Sequence, residues 1–419
     1  MRSNPAAPWY RQLHWQILVA LALGLAAGSL GGPALAAKVG WLGTLFITLL
    51  KMIVVPLVLA SIITGVASIG TGQALGRMFG RTFGFYVLSS LLAILTGLVL
   101  ANLLRPGDGI EMTAAASRAL PEGVSTPSSV PDLLLGMVPE NVVASAARAD
   151  LLALIVFGIL FGIAASGLAE EPREKLIGFF DSFFQGMLRL TGMVLRLAPI
   201  GVFGLVARAV AEFGLTAFRA MLLYMAMVAL GLAIHFFLTL PALLKLLGGI
   251  RARTHYRNIA EPLAIAFTTS SSAATLPSTI AAVESKVGVS RRVTSFVLPM
   301  GATVNMDGTA LYECAGVLFI AQALDIGLTF GQQAVVVLTS LLASIGAAAV
   351  PSAGLVVIFI VLEAVGLRGP QVEALVGFML AVDRPLDMAR TAVNVTSDTC
   401  AAAIVARAEG ETGVDVEPG

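Results

Sequence analysis

The chain has 419 residues, of which 57% are hydrophobic and only 12% charged, against roughly 25% charged in ordinary soluble domains. Its mean hydropathy of +0.91 excludes a soluble enzyme and points to a protein that crosses a membrane many times. A formal net charge of +1 gives no electrostatic basis for nucleic acid as a partner. Cys314 and Cys400 lie in apolar segments without metal-ligand spacing and read as buried free thiols. His14, His235 and His255 are scattered and carry no site signal of their own.

The first apolar run, Ile17 to Leu30, follows Arg2 and Arg11 and precedes Ala34-Leu35-Ala36, an arrangement that imitates a secretory signal. The many apolar segments after it favour a retained first membrane helix. A span needs about 20 mostly apolar residues, which places spans near 15–36, 41–69, 83–104, 150–169, 176–210 and 216–249. The stretch 105–149 is different: Pro106, Gly107, Pro121, Gly123, Pro127, Pro131 and Pro139 predict a long polar loop with one short helix at most.

Basic residues fix the orientation. Arg2 and Arg11, Arg77 and Arg81, Arg173 and Lys175, then Lys245, Arg251, Arg253 and Arg257 fall in alternate connections, so the N-terminus is expected on the cytoplasmic side. The next basic cluster, Lys286, Arg291 and Arg292, falls on that same side. The apolar segment near 258–290 therefore enters and leaves by one face, as a re-entrant hairpin. Its centre, Thr268 to Pro277, is small, hydroxylated and closed by proline. Irregular backbone at membrane depth is tolerated only where protein buries it or a wet cavity receives it.

A second hairpin is expected near 332–367, where Ser344-Ile345-Gly346 and Val350-Pro351-Ser352-Ala353-Gly354 interrupt an apolar run. Its flanks lack a basic cluster, so it enters from outside. Each hairpin is followed by one polar-bearing helix, near 293–322 and near 372–407. A hairpin-then-helix unit repeated with opposite topology is the organisation of secondary transporters that bind substrate near the midplane.

The last helix carries DRPLDMARTAVNVTSD, from Asp383 to Asp398. At about 100° per residue, Asp383, Asp387, Arg390, Thr391, Asn394 and Asp398 share one face. Charges in a membrane span cost at least a few kcal/mol each and mark function by default. Asp307, Asp387 and Asp398 against Arg390 leave three negative charges and one positive, a net −2. Carboxylates without partners protonate or bind cations. Thr303 and Asn305 beside Asp307, and Asn394 beside Asp398, add hard oxygen ligands suited to Na⁺, with proton carriage as the competing reading. Arg390 is a fixed planar cation suited to a substrate carboxylate. Pairing with Asp383 or Asp387 is the structural alternative.

Asn305-Met306-Asp307-Gly308-Thr309, the serine-rich first hairpin, Val350-Pro351 with Gly354, and Asp387 through Asp398 together resemble the glutamate transporters, of the dicarboxylate/amino acid:cation symporter family. The resemblance covers almost the whole chain. It implies an all-α polytopic membrane protein of eight transmembrane helices and two re-entrant helical hairpins, an inverted-repeat, elevator-type transporter that forms a homotrimer. Residues 1–82 (helices 1–2) and 150–215 (helices 4–5) would be scaffold. Residues 83–104 (helix 3) and 216–408 (helix 6, both hairpins, helices 7 and 8) would be the moving transport domain. Residues 105–149 would be an extracellular loop and 409–419 a cytoplasmic tail, in the inner or plasma membrane with both termini cytoplasmic.

The resemblance further implies that Arg390 takes the substrate side-chain carboxylate and Asp387 its amino group. Ser270, Ser272, Thr309, Thr391 and Asn394 would hold the rest, with Val350 and Gly354 lining the closing second hairpin. Three sodium positions are implied. One uses Gly301, Asn305, Asn394 and Asp398; a second uses carbonyls of Thr303, Ser344, Ile345 and Ala347; a third uses Tyr86, Ser89, Ser90, Asn305 and Asp307. By composition alone the Tyr86-Ser89-Ser90 group would pass as local back-bonding to its helix.

The chain departs from the family pattern at several positions. An arginine of archaeal members is Ser270 here, and a second arginine of animal members is Met388; Arg384 is a candidate to substitute by pairing with Asp387. Ala273, Ala349 and Ser397 replace the usual Ser, Gly and Gly, and are expected to tune function. The expected function is sodium-driven symport of L-aspartate or L-glutamate, not an enzyme activity. A proton-coupled C4-dicarboxylate or acidic amino acid carrier is the alternative within the family. An ion channel, or a serine hydrolase using Ser271 or Ser272, are alternatives from other classes.

Overall fold

The computed structural model describes residues 13–67, 73–110, 135, 138–148, 151–213, 216–345 and 353–415. Every regular element among them is helical. The first helix, α1 (Leu13–Ala67), is one run of 55 residues broken only at Gly32, whose φ of 58° is in the left-handed region that glycine tolerates. The break expected between residues 36 and 41 is absent. Ala34, Ala36 and Ala37 are strong helix formers, whereas Gly32 has no Cβ to hold it in the helix.

α2 (Gln73–Leu104) begins ten residues before the span expected at 83, so Arg77 and Arg81 lie on a helix and not in a loop. The polar stretch contains the short α3 (Val142–Ala147), whose cap Asn141 accepts from the N–H groups of Val143 and Ala144 at 2.9 and 3.0 Å. α4 (Leu151–Ser166) follows. The expected span 176–210 is two helices, α5 (Glu170–Leu195) and α6 (Ala198–Phe213), bent by 55°.

α7 (Thr216–Ile234) passes through a π-helical turn, His235–Thr239, into α8 (Leu240–Gly248). After α9 (Ala252–Asn258) come α10 (Ala260–Thr269) and α11 (Ser272–Ala282), joined at Ser270 with φ 52° and ψ 37°. These two helices pack on each other as a tight pair, centred where the serine run predicted it. α12 (Arg291–Val304) and α13 (Asp307–Ala323) divide the expected helix 293–322 at Asn305 and Met306, which leave helical geometry. α14 (Phe330–Ile345) and α15 (Ala353–Ala364) pack together, and α16 (Pro370–Ala408) runs 39 residues to the last segment.

Among the described residues four helical stretches are long and apolar enough to cross a membrane, with the two sides of the Gly32 break in α1 counted separately, and a fifth if the bent α5–α6 pair counts as one. α1 exposes Leu18, Leu23, Leu30 and Trp41 on its outer side, surface suited to lipid. Inside, two apolar cores form. One surrounds Phe46, Tyr224, Tyr312, Phe319 and Phe378; the other surrounds Phe85, Tyr86, Leu244, Val297 and Ile404. α16 belongs to both: Phe378 to Val393 enter the first and Cys400 to Ala406 the second. Its polar stretch from Asn394 to Asp398 sits where the two cores meet.

The segment after α16 folds back on the body. Asp415 lies 2.5 Å from His255 Nδ1 and accepts from Asn258 Nδ2 at 2.8 Å, while Glu409 pairs with Arg77 at 3.1 Å and Arg81 at 2.6 Å. At this helix end the Arg77 guanidinium, with Arg81 and Arg292 beside it, holds the Glu409 carboxyl below the usual range. Cys314 and Cys400 are both buried.

Candidate functional site

α16 and α13 cross closely because Gly308 has no side chain. A Cβ there would stand 2.9 Å from the Arg390 backbone. That approach lets Asn394 Oδ1 accept from the Gly308 N–H at 2.8 Å, while Asn394 Nδ2 donates to Thr309 Oγ1 at 3.3 Å.

One turn up the helix, Arg390 is almost wholly buried, with its Cζ 3.9 Å above the Tyr312 ring. Its Nη2 is 2.9 Å from Asp387 Oδ1 and 3.0 Å from Asp383 Oδ1. Among the described residues its Nε and Nη1 have no hydrogen-bond partner. Nη2 is thus held in the structural pair that was the alternative reading of Arg390. Gly354, at the start of α15, is close enough that a Cβ would lie 3.4 Å from Arg390 Nη1 and 3.2 Å from Thr309 Cγ2. Thr391 Oγ1 donates back to the Asp387 carbonyl at 2.9 Å. Arg384 Nη1 lies 3.4 Å from Asp387 Oδ2, the pairing its spacing predicts. Ser270 is buried with its Oγ unpartnered among the described residues, and Ser272 is buried at the start of α11. Both helices of this pair pack against α16.

Lower on α16 a second cluster forms. Asp307, fully buried, accepts from the hydroxyls of Ser89 and Ser90, the latter at 2.6 Å, and lies 3.0 Å from His235 Nε2. Asn305 Nδ2 donates to Asp398 Oδ1 and to Ser397 Oγ, each at 2.9 Å, and its Oδ1 is buried without a partner. Gly301 makes room for Asp398 and Tyr86: a Cβ there would be 2.4 Å from Asp398 Oδ1 and 2.7 Å from the Tyr86 hydroxyl. That hydroxyl donates to the Val297 carbonyl at 2.8 Å. The structure thus brings Tyr86, Ser89, Ser90, Gly301, Asn305, Asp307 and Asp398 into one buried polar cluster, with Asn394 one turn above.

The remaining group is less convergent. Thr303 Oγ1 and Ser344 Oγ bond within their own helices, to Met300 and Leu341 carbonyls at 3.1 and 2.9 Å. Ile345 ends α14, which touches α12. Ala347 and Val350 lie outside the described residues.

Sequence reasoning passed over four contributors. Tyr312 stacks on Arg390, and the adjacent Glu313 is fully buried with neither carboxyl oxygen hydrogen-bonded among the described residues. His235 reaches Asp307 from the π-helical turn. Ser397, read only as a tuning replacement, bonds both Asn305 and Ser89. Their one sequence signal is polarity inside apolar runs.

A family profile described as the Sodium:dicarboxylate symporter family matches residues 13–408. The chain belongs to that family. It is 36% identical to the proton/glutamate-aspartate symporter of Escherichia coli over 417 residues, covering 95% of this chain and 93% of the relative. The proton/sodium-glutamate symport protein of Bacillus subtilis is 36% identical over 402 residues, covering 94% and 92%. The C4-dicarboxylate transport protein of Agrobacterium fabrum is 31% identical over 411 residues, covering 96% and 90%. Membership makes this chain a multi-pass membrane transporter and not an enzyme.

Proposed function

We propose that this chain is a secondary active symporter that couples inward sodium movement to uptake of L-aspartate or L-glutamate by alternating access. The observation that carries the reading is Arg390: a buried guanidinium, held on one side by Asp383 and Asp387, with Nε and Nη1 donors unpaired among the described residues. A buried unpaired donor on a cation costs free energy unless a ligand uses it, and a carboxylate is the natural acceptor. Asp387 beside it suits a substrate ammonium, so the pair fits an amino acid with an acidic side chain. The glutamate- and aspartate-named relatives support the same class.

In this reading Arg390 takes the side-chain carboxylate and Asp387 the amino group. Thr309, Thr391, Asn394, Ser270 and Ser272 complete the grip, and Val350 and Gly354 close over it from the second hairpin. Sodium is cargo. Its proposed ligands are Gly301, Asn305, Asn394 and Asp398; the carbonyls of Thr303, Ser344, Ile345 and Ala347; and Tyr86, Ser89, Ser90, Asn305 and Asp307. Substrate brings net −1 to a region already rich in carboxylates, so its binding without cations is costly. The proposed frame is eight spans and two re-entrant hairpins, with residues 1–82 and 150–215 as a trimeric scaffold. Residues 83–104 and 216–408 would be the body that moves in an elevator cycle, and both termini would be cytoplasmic.

Proton coupling is the second reading, favoured by His235 lying 3.0 Å from Asp307 Oδ2 and by the proton-named relatives. A C4-dicarboxylate would have no use for Asp387. Uptake of labelled aspartate into proteoliposomes, with sodium gradient, proton gradient and competitor varied separately, tests all three. Uptake should follow the sodium gradient and resist succinate. Uptake driven by the proton gradient alone, or blocked by succinate, would overturn the sodium–amino acid reading.

A further inference from the structure

Between Asp398 and Asp307 the donors and acceptors can be assigned one by one. A carboxylate only accepts, so the Asn305 atom facing Asp398 is Nδ2, as placed, and its two hydrogens go to Asp398 Oδ1 and Ser397 Oγ. Ser89 has one hydroxyl hydrogen, given to Asp307 Oδ2. In the 3.0 Å contact between Ser89 and Ser397, Ser89 must therefore accept and Ser397 donate. The chain is directional: Asn305 donates to Asp398 and to Ser397, Ser397 to Ser89, and Ser89 to Asp307. Ser397 is fully buried at its middle and joins residues of α16, α2 and the break between α12 and α13.

We propose that Ser397 couples the two cation positions at Asp398 and Asp307, as the positioning residue through which occupancy of one is felt at the other. The inference rests on the cation reading above. Among the described residues Oδ1 is the side-chain atom of Asn305 without a hydrogen-bond partner, which leaves it available to a cation. A cation there draws electron density from the amide and strengthens donation from Nδ2. Ser397, held by Nδ2, then keeps Ser89 and through it the Asp307 carboxylate in one orientation, so the second position is already ordered when its cation arrives. Without the Ser397 hydroxyl, one Asn305 N–H and one Ser89 lone pair lose their partners. The Asn305 amide is then held by Asp398 alone, and the link between the two acids is cut.

The test is aspartate uptake by purified full-length protein in proteoliposomes, titrated with sodium at fixed pH and ionic strength and separately with protons at fixed sodium. Wild type should respond to the driving cation with a Hill coefficient above one. Ser397→Ala and Ser397→Gly should bring it towards one and raise the half-saturating cation concentration about 5-fold or more, within the usual range of site–site coupling. Half-saturation by aspartate at saturating cation should move less than about twofold, and Ser397→Thr should restore cooperativity. Ser89→Ala cuts the next link, so in combination with Ser397→Ala its effect on the cation response should be less than additive. Where a variant is too unstable for uptake, cation-dependent thermal stabilisation in detergent gives the same comparison. A non-cooperative wild type, or variants that lose maximal rate with an unchanged cation curve, would overturn the coupling. If Asp398→Asn itself kept a wild-type cation response, the underlying cation assignment would fail instead.

Discussion

Two polar clusters occupy one face of α16, about 12 Å apart along the axis at 1.5 Å per residue, and they are satisfied in opposite ways. Among the described residues the polar groups around Arg390 are left short: Nε and Nη1 lack partners, and so do both oxygens of the nearby Glu313. Around Asp307 and Asp398 most side-chain groups bond one another, and Asn305 Oδ1 and His235 Nδ1 are left over. Buried polar groups are normally paired, so in the reading proposed above the upper cluster takes a ligand with several acceptors of its own. In the same reading the lower cluster takes something small enough to use single oxygens, and the difference separates a grip on the substrate from a seat for an ion.

The largest expected break of that contrast is Arg390→Ala. Removing one partner of a buried pair costs roughly 3–5 kcal/mol, so aspartate affinity in binding or uptake assays should fall by more than about 100-fold. Next, Asp398→Asn should raise the half-saturating cation concentration about 10-fold or more, with a smaller change in aspartate affinity at saturating cation, an ionic hydrogen bond being worth about 1.5–3 kcal/mol.

A smaller effect is expected where the clusters' helix meets the first one. Lys51 on α1 pairs with Glu373 on α16 at 2.7 Å and lies 5.1 Å from the Phe359 ring. An exposed pair of this kind is worth about 0.2–1 kcal/mol. Glu373→Gln should therefore change uptake rate a few-fold at most and leave aspartate affinity unchanged. Smallest is Glu409→Gln. A carboxyl held below its usual range stabilises the fold above the unfolded value, near 4.3, and loses that contribution as pH falls through the folded value. Wild type should lose thermal stability on acidification across that window, and the variant should lose less.

The upper cluster was legible because α16 writes it in one line: acids and an arginine at helical spacing cannot be hidden in an apolar segment. The same charged residues lower the hydropathy of α16. The lower cluster was legible only by resemblance. Its members come from α2, α12, α13 and α16, and a local pattern cannot tell a serine that reaches Asp307 from one that bonds its own helix. His235 was invisible for the same reason, its reach depending on a π-helical turn that Pro241, just past it, marks only as a helix start. The break at Asn305 and Met306 divides what hydropathy reads as one helix. The glycine that bends α1 lies inside the first span expected from hydropathy, near its end.

The most direct measurement of the central claim, that the two clusters of α16 act together, is calorimetric aspartate binding to the purified protein across a range of sodium at constant pH and ionic strength. Affinity should climb steeply as sodium rises, and Asp398→Asn should flatten that climb while Arg390→Ala abolishes binding at every concentration. Aspartate binding with the same affinity in the presence and absence of sodium would contradict it.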